Sequence, residues 1–300
     1  MKKVLVYGAT GSQQGPMIQV LKLRNLEVFA ATRSEEKAAK LRDSGANPVI
    51  VDLSDPLSVQ KASVGMDYVS FVIPASLANP LDGLLFAKNL IDGAKNNGVK
   101  QIVWNTSGYF APGKTGNPIS DVKLDVKDYL QNSGVAYTII ESNIYLENLL
   151  APYTTDYVKK EGKLAYPLPE EMRVGWIATK DASALSASAF GKEDMEGKII
   201  RVSGTENLTG QDLAKRISKG LGADLTYYSL PPSEFGEIMG RLMDESSAKA
   251  LQNYYAGIAA TAPDYPVMFS EGIGEIANQL EVKMTSIEDW AKEHKHFFMS

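Results

Sequence analysis

Residues 7–15 read YGATGSQQG, and how this loop is read decides the fold. The apolar run KVLVYG (3–8) stops at its first glycine, and PMIQVLKLRN (16–25) follows with Met17, Val20 and Leu21 at helical spacing. A glycine loop between a strand and a helix lets Gly8 make a tight turn and leaves the backbone bare at Gly11, where a pyrophosphate can approach. The N–H groups at the helix start then face the anion. The spacing Gly8, Gly11, Gly15 departs from the common G-x-G-x-x-G pattern, so the loop's weight comes from its place on the first strand-to-helix turn. Gly8, Thr10, Gly11, Ser12, Gln13 and Gly15 are the candidate dinucleotide contacts; a purely structural turn is the alternative.

Outward from this loop the pattern repeats. EVFAAT (27–32), PVIVDL (48–53), DYVSFVI (67–73), QIVWNTS (101–107) and AYTIIES (136–142) read as strands mostly apolar on both faces, as a helix-covered parallel sheet requires. Helical segments lie between them; one opens on Ser34 as an N-cap and closes on Gly45. Strand then helix, repeated, predicts an α/β fold: a doubly wound parallel sheet of Rossmann type with a smaller α+β carboxy-terminal substrate part. The expected boundaries are 1–148 for the dinucleotide-binding domain and 149–300 for the smaller part. The two are interleaved, because GKIIRVSG (197–204) reads as a strand returning to the main sheet. A short strand, LTYYSL, is expected at 225–230.

A second glycine loop competes. GYFAPGKT (108–115) fits the phosphate-binding pattern G-x-x-x-x-G-K-[ST], in which the lysine and threonine must open a helix. Gly116, Asn117 and Pro118 come next, and these residues break helices. The stretch is read as an exposed loop beside a cofactor cleft, not as an ATP site.

Composition excludes much else. The 300 residues are 44% hydrophobic and 22% charged, with net charge −5 and pI near 5.3. That balance argues against nucleic acid and anionic membranes as partners, since phosphate backbones are held by clustered Lys and Arg. The absence of cysteine removes disulfides, thiolate metal sites and thiol nucleophiles. Both histidines, His294 and His296, fall in the charged tail AKEHKHFFMS, expected to be solvated, and no metal site is expected. No signal-peptide core or bilayer-length apolar run occurs, so a cytoplasmic setting is expected and the sequons at Asn105 and Asn207 are read as chance.

Five stretches together, YGATGSQQG, VIVDLSD (49–55), SDVKLDVKDYLQNSGVAYTII (120–140), YLENL (145–149) and TSIEDWAKEH (285–294), make the chain resemble the NmrA-like branch of the atypical short-chain dehydrogenases/reductases. That resemblance implies a dinucleotide more firmly than a reaction. The branch includes NAD(P)H-dependent quinone and dye reductases, plant phenylpropanoid reductases, and regulators that bind the dinucleotide without turning it over.

Charge speaks to which dinucleotide. Arg33 ends the second strand where an NAD-preferring enzyme places an acid, with Lys37 a turn later, which favours the 2′-phosphate of NADP(H); NAD(H) is the second cofactor admitted. An exposed helix-start arginine is the alternative reading. The resemblance further implies adenine contacts at Asp52 and Leu53, a backbone passing the cofactor at Pro74 and Ala75, a cofactor contact at the strand-end hydroxyl of Thr106, and a nicotinamide end lined by Asn143, Ile144 and Tyr145.

For catalysis the resemblance implies Lys123 as the ribose-binding lysine and Ser107 as the hydroxyl beside the substrate, although each also has a plain surface or turn reading. The main branch carries a tyrosine four residues before this lysine; here Ile119 stands there and cannot donate a proton. Tyr145 is the nearest candidate replacement. ESN (141–143) takes the place of the family's RPG, so Glu141 brings a reversed charge beside the cleft. The expected function is hydride transfer from NADPH to a small quinone- or enone-like acceptor, with Tyr153, Tyr157, Tyr166 and Trp176 either lining the acceptor cleft or forming core. The alternative is a non-catalytic NAD(P)(H) sensor acting on a protein partner.

Overall fold

The computed structural model describes residues 1–73, 77, 79–262 and 268–299. Two compact units are present. The first comprises Met1–Ser142, Thr179–Val202 and Glu275–Lys283, and the second Asn143–Ala178, Ser203–Gly274 and Met284–Ser300. The strands in chain order are β1 (Lys3–Val6), β2 (Glu27–Thr32), β3 (Asn47–Ile50), β4 (Tyr68–Phe71), β5 (Gln101–Asn105), β6 (Ala136–Ser142), β7 (Lys163–Tyr166), β8 (Lys198–Val202) and β9 (Thr226–Ser229).

In the first unit seven strands form one sheet in the order β3-β2-β1-β4-β5-β6-β8. Every pairing in it is parallel. The chain moves outward from β1 to β3, then recrosses to β4 on the other side of β1, so the order reverses between β1 and β4. In doubly wound sheets that reversal opens a crevice at the strands' carboxyl ends. The central strands β1, β4 and β5 are buried almost throughout. Leu5, Val69, Phe71, Ile102, Trp104 and Ile139 pack there with Ile91 and Val126 from the covering helices. β3 and β8 sit at the edges and open toward solvent, and β3 has no fully buried residue, so the expectation of strands apolar on both faces does not extend to β3.

Local chemistry explains the helix starts. Ser34 accepts from the Lys37 amide and Gly45 takes φ +81°, as the sequence predicts. Asp55 caps Pro56–Ala62 and Asn117 caps Pro118–Gln131, in both cases with proline at the first helical position, where no N–H is needed. Several strands are shorter than their apolar runs. The assigned strands stop at Val6, Ile50 and Asn105; Tyr7, Val51 and Thr106 each give one last amide hydrogen bond to the neighbouring strand, and the chain then turns into loops.

The second unit carries a two-stranded parallel sheet, β7 with β9. β7, KLAY, follows the helix Pro152–Glu161 after Gly162 alone, and the sequence reading does not separate it from that helix. Tyr153, Tyr166, Trp176 and Phe235 are buried in this unit's own core; Tyr166 meets Trp176 edge-on at 4.8 Å, and Tyr153 meets Phe235 edge-on at 5.1 Å. Of the two readings open for these aromatics, core holds for Tyr153, Tyr166 and Trp176. Tyr157 is partly buried, donates to the Glu234 carboxylate and lies against Tyr228.

The tail differs from the solvated segment expected. Residues Ile287–Glu293 and Lys295–Met299 are helical, and Trp290 and Phe298 are fully buried. The first of these helices packs against Gly210–Leu221, and Gly220 makes room: a Cβ there would stand 2.4 Å from the Glu288 carbonyl oxygen. The Trp290 indole donates to Glu147 at 3.0 Å, and the half-exposed His294 ring stacks on Trp290. Among the described residues no cluster of His, Asp and Glu could hold a metal, and no helix is long and apolar enough to cross a membrane. Replacing Trp290 by Ala should lower unfolding free energy by about 3–5 kcal/mol, measured by chemical denaturation. A loss below ~1 kcal/mol would show that the tail helices are dispensable to this unit.

Candidate functional site

The glycine loop leaves β1 at the sheet's reversal point. Gly8 takes φ +79°, open to glycine at little cost, and a Cβ there would sit 3.0 Å from Val72. The Gly11 amide donates to the Gly8 carbonyl and the Gly15 amide to the Gly11 carbonyl, both at 2.9 Å. A Cβ on Gly15 would lie 2.9 Å from that same Gly11 oxygen, so a side chain would break the coil. Turns fill residues 7–16 and the helix begins only at Met17, later than the sequence suggests. Gly8, Thr10, Gly11 and Ser12 are exposed, and among the described residues the Thr10 and Ser12 amides meet no acceptor. A bare rim with free N–H donors fits a phosphate group.

Below the rim, Gln14 is completely buried, accepting from Ser70 of β4 at 3.2 Å. Gln13 is tied at both ends: its carbonyl accepts from Ser183, and its side-chain amide donates to the Ser107 hydroxyl at 2.8 Å. The loop thus reaches directly to the end of β5.

There Ser107 adopts φ +53°, a left-handed conformation that costs a non-glycine residue about 1 kcal/mol or more and persists only where neighbours impose it. The neighbours are identifiable. Asn105 accepts from the Ser107 amide at 2.9 Å, and the Lys123 ammonium donates to the Ser107 carbonyl at 3.3 Å. Ser142 of β6 donates to the same Asn105 oxygen at 3.0 Å. Thr106 is buried, and its hydroxyl donates to the carbonyls of Gly108 and Ile140, which fixes the loop's exit.

Lys123 lies on the helix Pro118–Gln131, partly buried with its amine drawn inward. Desolvation pulls its pKa down to about 8, with Glu141 acting against the fall. The Glu141 carboxylate is buried; it accepts from the Phe110 amide at 2.7 Å and from Arg201 at 3.0 Å. Arg201 and Tyr109 were not anticipated. The signal for Arg201 was a charge inside the apolar run KIIRV, but its partner followed only from the register that sets it beside Glu141.

The remaining expected contacts are placed as follows. Arg33 and Lys37 are exposed just past β2. Asp52 and Leu53 stand beyond the end of β3, not within it. Asp52 accepts from the Ser54 amide and hydroxyl, which hold its carboxyl below the usual range, with a smaller contribution from Arg33. Leu53 offers its carbonyl to Asn89. Pro74 and Ala75 lie outside the described residues. Asn143, Ile144 and Tyr145 belong to the second unit: Asn143 donates to the Met268 carbonyl and accepts from the Ile144 amide, and Tyr145 is buried, bridged to Ile177. In the other glycine loop, the Thr115 and Gly116 amides already donate to Asp121 and Lys114 pairs with Asp125 at 2.6 Å, so its donors face carboxylates and not a phosphate.

The NmrA-like family model matches residues 1–291. The chain belongs to the NmrA-like family. A similar protein is an NAD(P)H azoreductase of Xenophilus azovorans, 28% identical over 87% of this chain and 88% of the relative. Among solved structures, an NADPH-dependent quinone oxidoreductase from Escherichia coli, complexed with NADPH, superposes with a TM-score of 0.79 at 20% identity over 97% of this chain and 99% of the other. NmrA, a negative transcriptional regulator in complex with NAD, gives a TM-score of 0.77 at 19% identity over 97% and 94%. At such identities the superpositions show the shared fold. The NmrA-like fold accordingly places its glycine loop, strand-end hydroxyls and helix lysine in one first-unit cluster.

The lysine makes stability depend on pH in a definite direction. Its folded pKa lies below that of an unfolded lysine, so the unfolded chain binds more protons between pH ~8 and ~10.4, and stability rises with pH across that window. Lys123→Met should therefore stabilise the protein by about 1–3 kcal/mol at pH 7, with the margin shrinking toward pH 10. Thermal denaturation of both proteins across that range would show it; a margin independent of pH would mean the ammonium is not desolvated.

Proposed function

We propose that this protein is an NADPH-dependent oxidoreductase acting on a small quinone- or enone-like acceptor. The observation that carries the reading is the link from the glycine loop to the lysine, in which Gln13 donates to the Ser107 hydroxyl and Lys123 to the Ser107 carbonyl. The names of the azoreductase and quinone oxidoreductase relatives support it.

Gly8, Thr10, Gly11, Ser12, Gln13 and Gly15 would hold the pyrophosphate, and Arg33 the 2′-phosphate, with Asp52 and Leu53 at the adenine and Lys123 at the nicotinamide ribose. The bound nicotinamide supplies the hydride. Ser107 orients a hydroxyl toward the acceptor and Thr106 fixes the loop that carries it. Lys123 holds a proton at Nζ with a pKa near neutrality, the range in which a group can release it to an oxygen that gains charge. The tyrosine of the wider superfamily is replaced by Ile119, and a quinone tolerates this because its reduced form is a stabilised phenolate. The reading uses first-unit residues alone.

A second reading, a non-catalytic NAD(P)(H) sensor with a protein partner, is favoured by Ile119 and by the ESN triplet in place of RPG. Calorimetric titration with NADPH and NADH separates the cofactor claim from the rest. NADPH should bind more tightly, and Arg33→Ala should weaken NADPH by about tenfold while leaving NADH unchanged. Failure of both dinucleotides to bind would end both readings. Binding without NADPH consumption across a panel of quinones, enones and azo dyes would leave the sensor.

A further inference from the structure

Glu141 has no role in the reading above, yet its placement is costly. A carboxylate 3% exposed in the interior is tolerated only when its oxygens are paired. Among the described residues the Phe110 amide meets one oxygen at 2.7 Å and the Arg201 guanidinium the other at 3.0 Å, the latter from the adjacent strand in register. Arg201 also lies over the Tyr109 ring, 5.0 Å from its centroid. Both partners of the carboxylate therefore bear on consecutive residues, 109 and 110, of the loop that starts at left-handed Ser107 and continues through Gly108 at φ +138°.

The same loop meets Lys123, whose ammonium donates to the Ser107 carbonyl and would stand 3.2 Å from a Cβ on Gly108. Charged and titratable groups from several elements bear on this loop. Glu141 comes from β6 and Arg201, through Glu141, from β8. Tyr109 comes from the loop, with a hydroxyl that is buried, without a hydrogen-bond partner among the described residues and held neutral by a pKa raised to about 12. On the lysine's own helix, Lys127 sits over the Phe110 ring at 5.3 Å. Glu141 is the group whose charge opposes the lysine's desolvation. Arg201 draws on that same carboxylate.

We propose that Glu141 is a positioning residue for Lys123: its carboxylate ties residues 109 and 110 to the sheet through the Phe110 amide and Arg201, seats the Ser107 carbonyl against the ammonium, and shares its charge between lysine and arginine. The assignment rests on the oxidoreductase reading only for its consequence in turnover.

The test is the titration of the Lys123 amine, followed by NMR in the cofactor-free protein with isotopically labelled lysine and assigned by the signal lost in Lys123→Met. Glu141→Gln keeps an acceptor for the Phe110 amide but removes the charge, and should lower the lysine midpoint by about one unit. Arg201→Gln releases the carboxylate from its competing partner and should raise the midpoint by about half a unit. Opposite shifts distinguish charge sharing from general disturbance, which would move both the same way. An unmoved midpoint in Glu141→Gln, or shifts of one sign, overturns the proposal.

Should Glu141→Gln fail to fold, Arg201→Gln decides alone, since the glutamine amide still offers the buried carboxylate a neutral donor; no upward shift would then refute the assignment. NADPH binding and quinone reduction are measured on the same variants. Under the oxidoreductase reading the alkaline limb of kcat/KM follows the lysine midpoint. Wild-type protein that binds no dinucleotide would end that reading while the titration still decides this one. Normal turnover with unmoved midpoints would do the reverse.

Discussion

A parallel sheet buried on both faces must pair every backbone group along its central strands and must be left at their ends. In this chain β1, β4 and β5 meet that demand, with side chains closed to water above and below. The chain can then change direction only where pairing stops, so the loops after Val6 and Asn105 and the last residue of β6, Ser142, carry the polar chemistry. The loop after β1 leaves the sheet where the strand order reverses between β1 and β4, and its Thr10 and Ser12 amides meet no acceptor among the described residues.

The polar residues at those ends form a connected set. Gln13 reaches Ser107, Asn105 gathers the Ser107 amide and the Ser142 hydroxyl, Lys123 reaches the Ser107 carbonyl from its helix, and Glu141 holds the same loop three residues on, at the Phe110 amide. Each member is held by at least one neighbour from a different segment, which is what allows a serine to remain at positive φ. Cross-segment hydrogen bonds of this kind restrain a site, since rearrangement would strand further buried donors or acceptors, and the Gln13 side-chain oxygen is already without a partner among the described residues. A lysine kept near neutrality by such surroundings is a common companion of function.

The second unit solves a different problem. Its sheet has only β7 and β9, too little to bury a core, and the aromatic side chains of Tyr153, Tyr166, Trp176, Phe235 and Trp290 supply the missing apolar area. Edge-to-face contacts let those rings pack densely while Tyr166 keeps its hydroxyl bonded to Asn148 and Tyr255.

The apolar runs, the caps at Ser34 and Gly45, and the glycine loop on the first turn suffice by themselves to specify a doubly wound sheet, because burial on two faces and strand-to-helix alternation are local properties of composition and spacing. Gly8 and Lys123 are legible for the same reason: one follows from a turn, the other from a motif. Tertiary structure alone decided that Glu141 would meet Arg201, sixty residues away, that Gln13 would bond Ser107, and that the tail would pack through Trp290. Those outcomes depend on strand register and on which helix covers which face. Both are set by the summed packing of distant segments, and no local pattern records them.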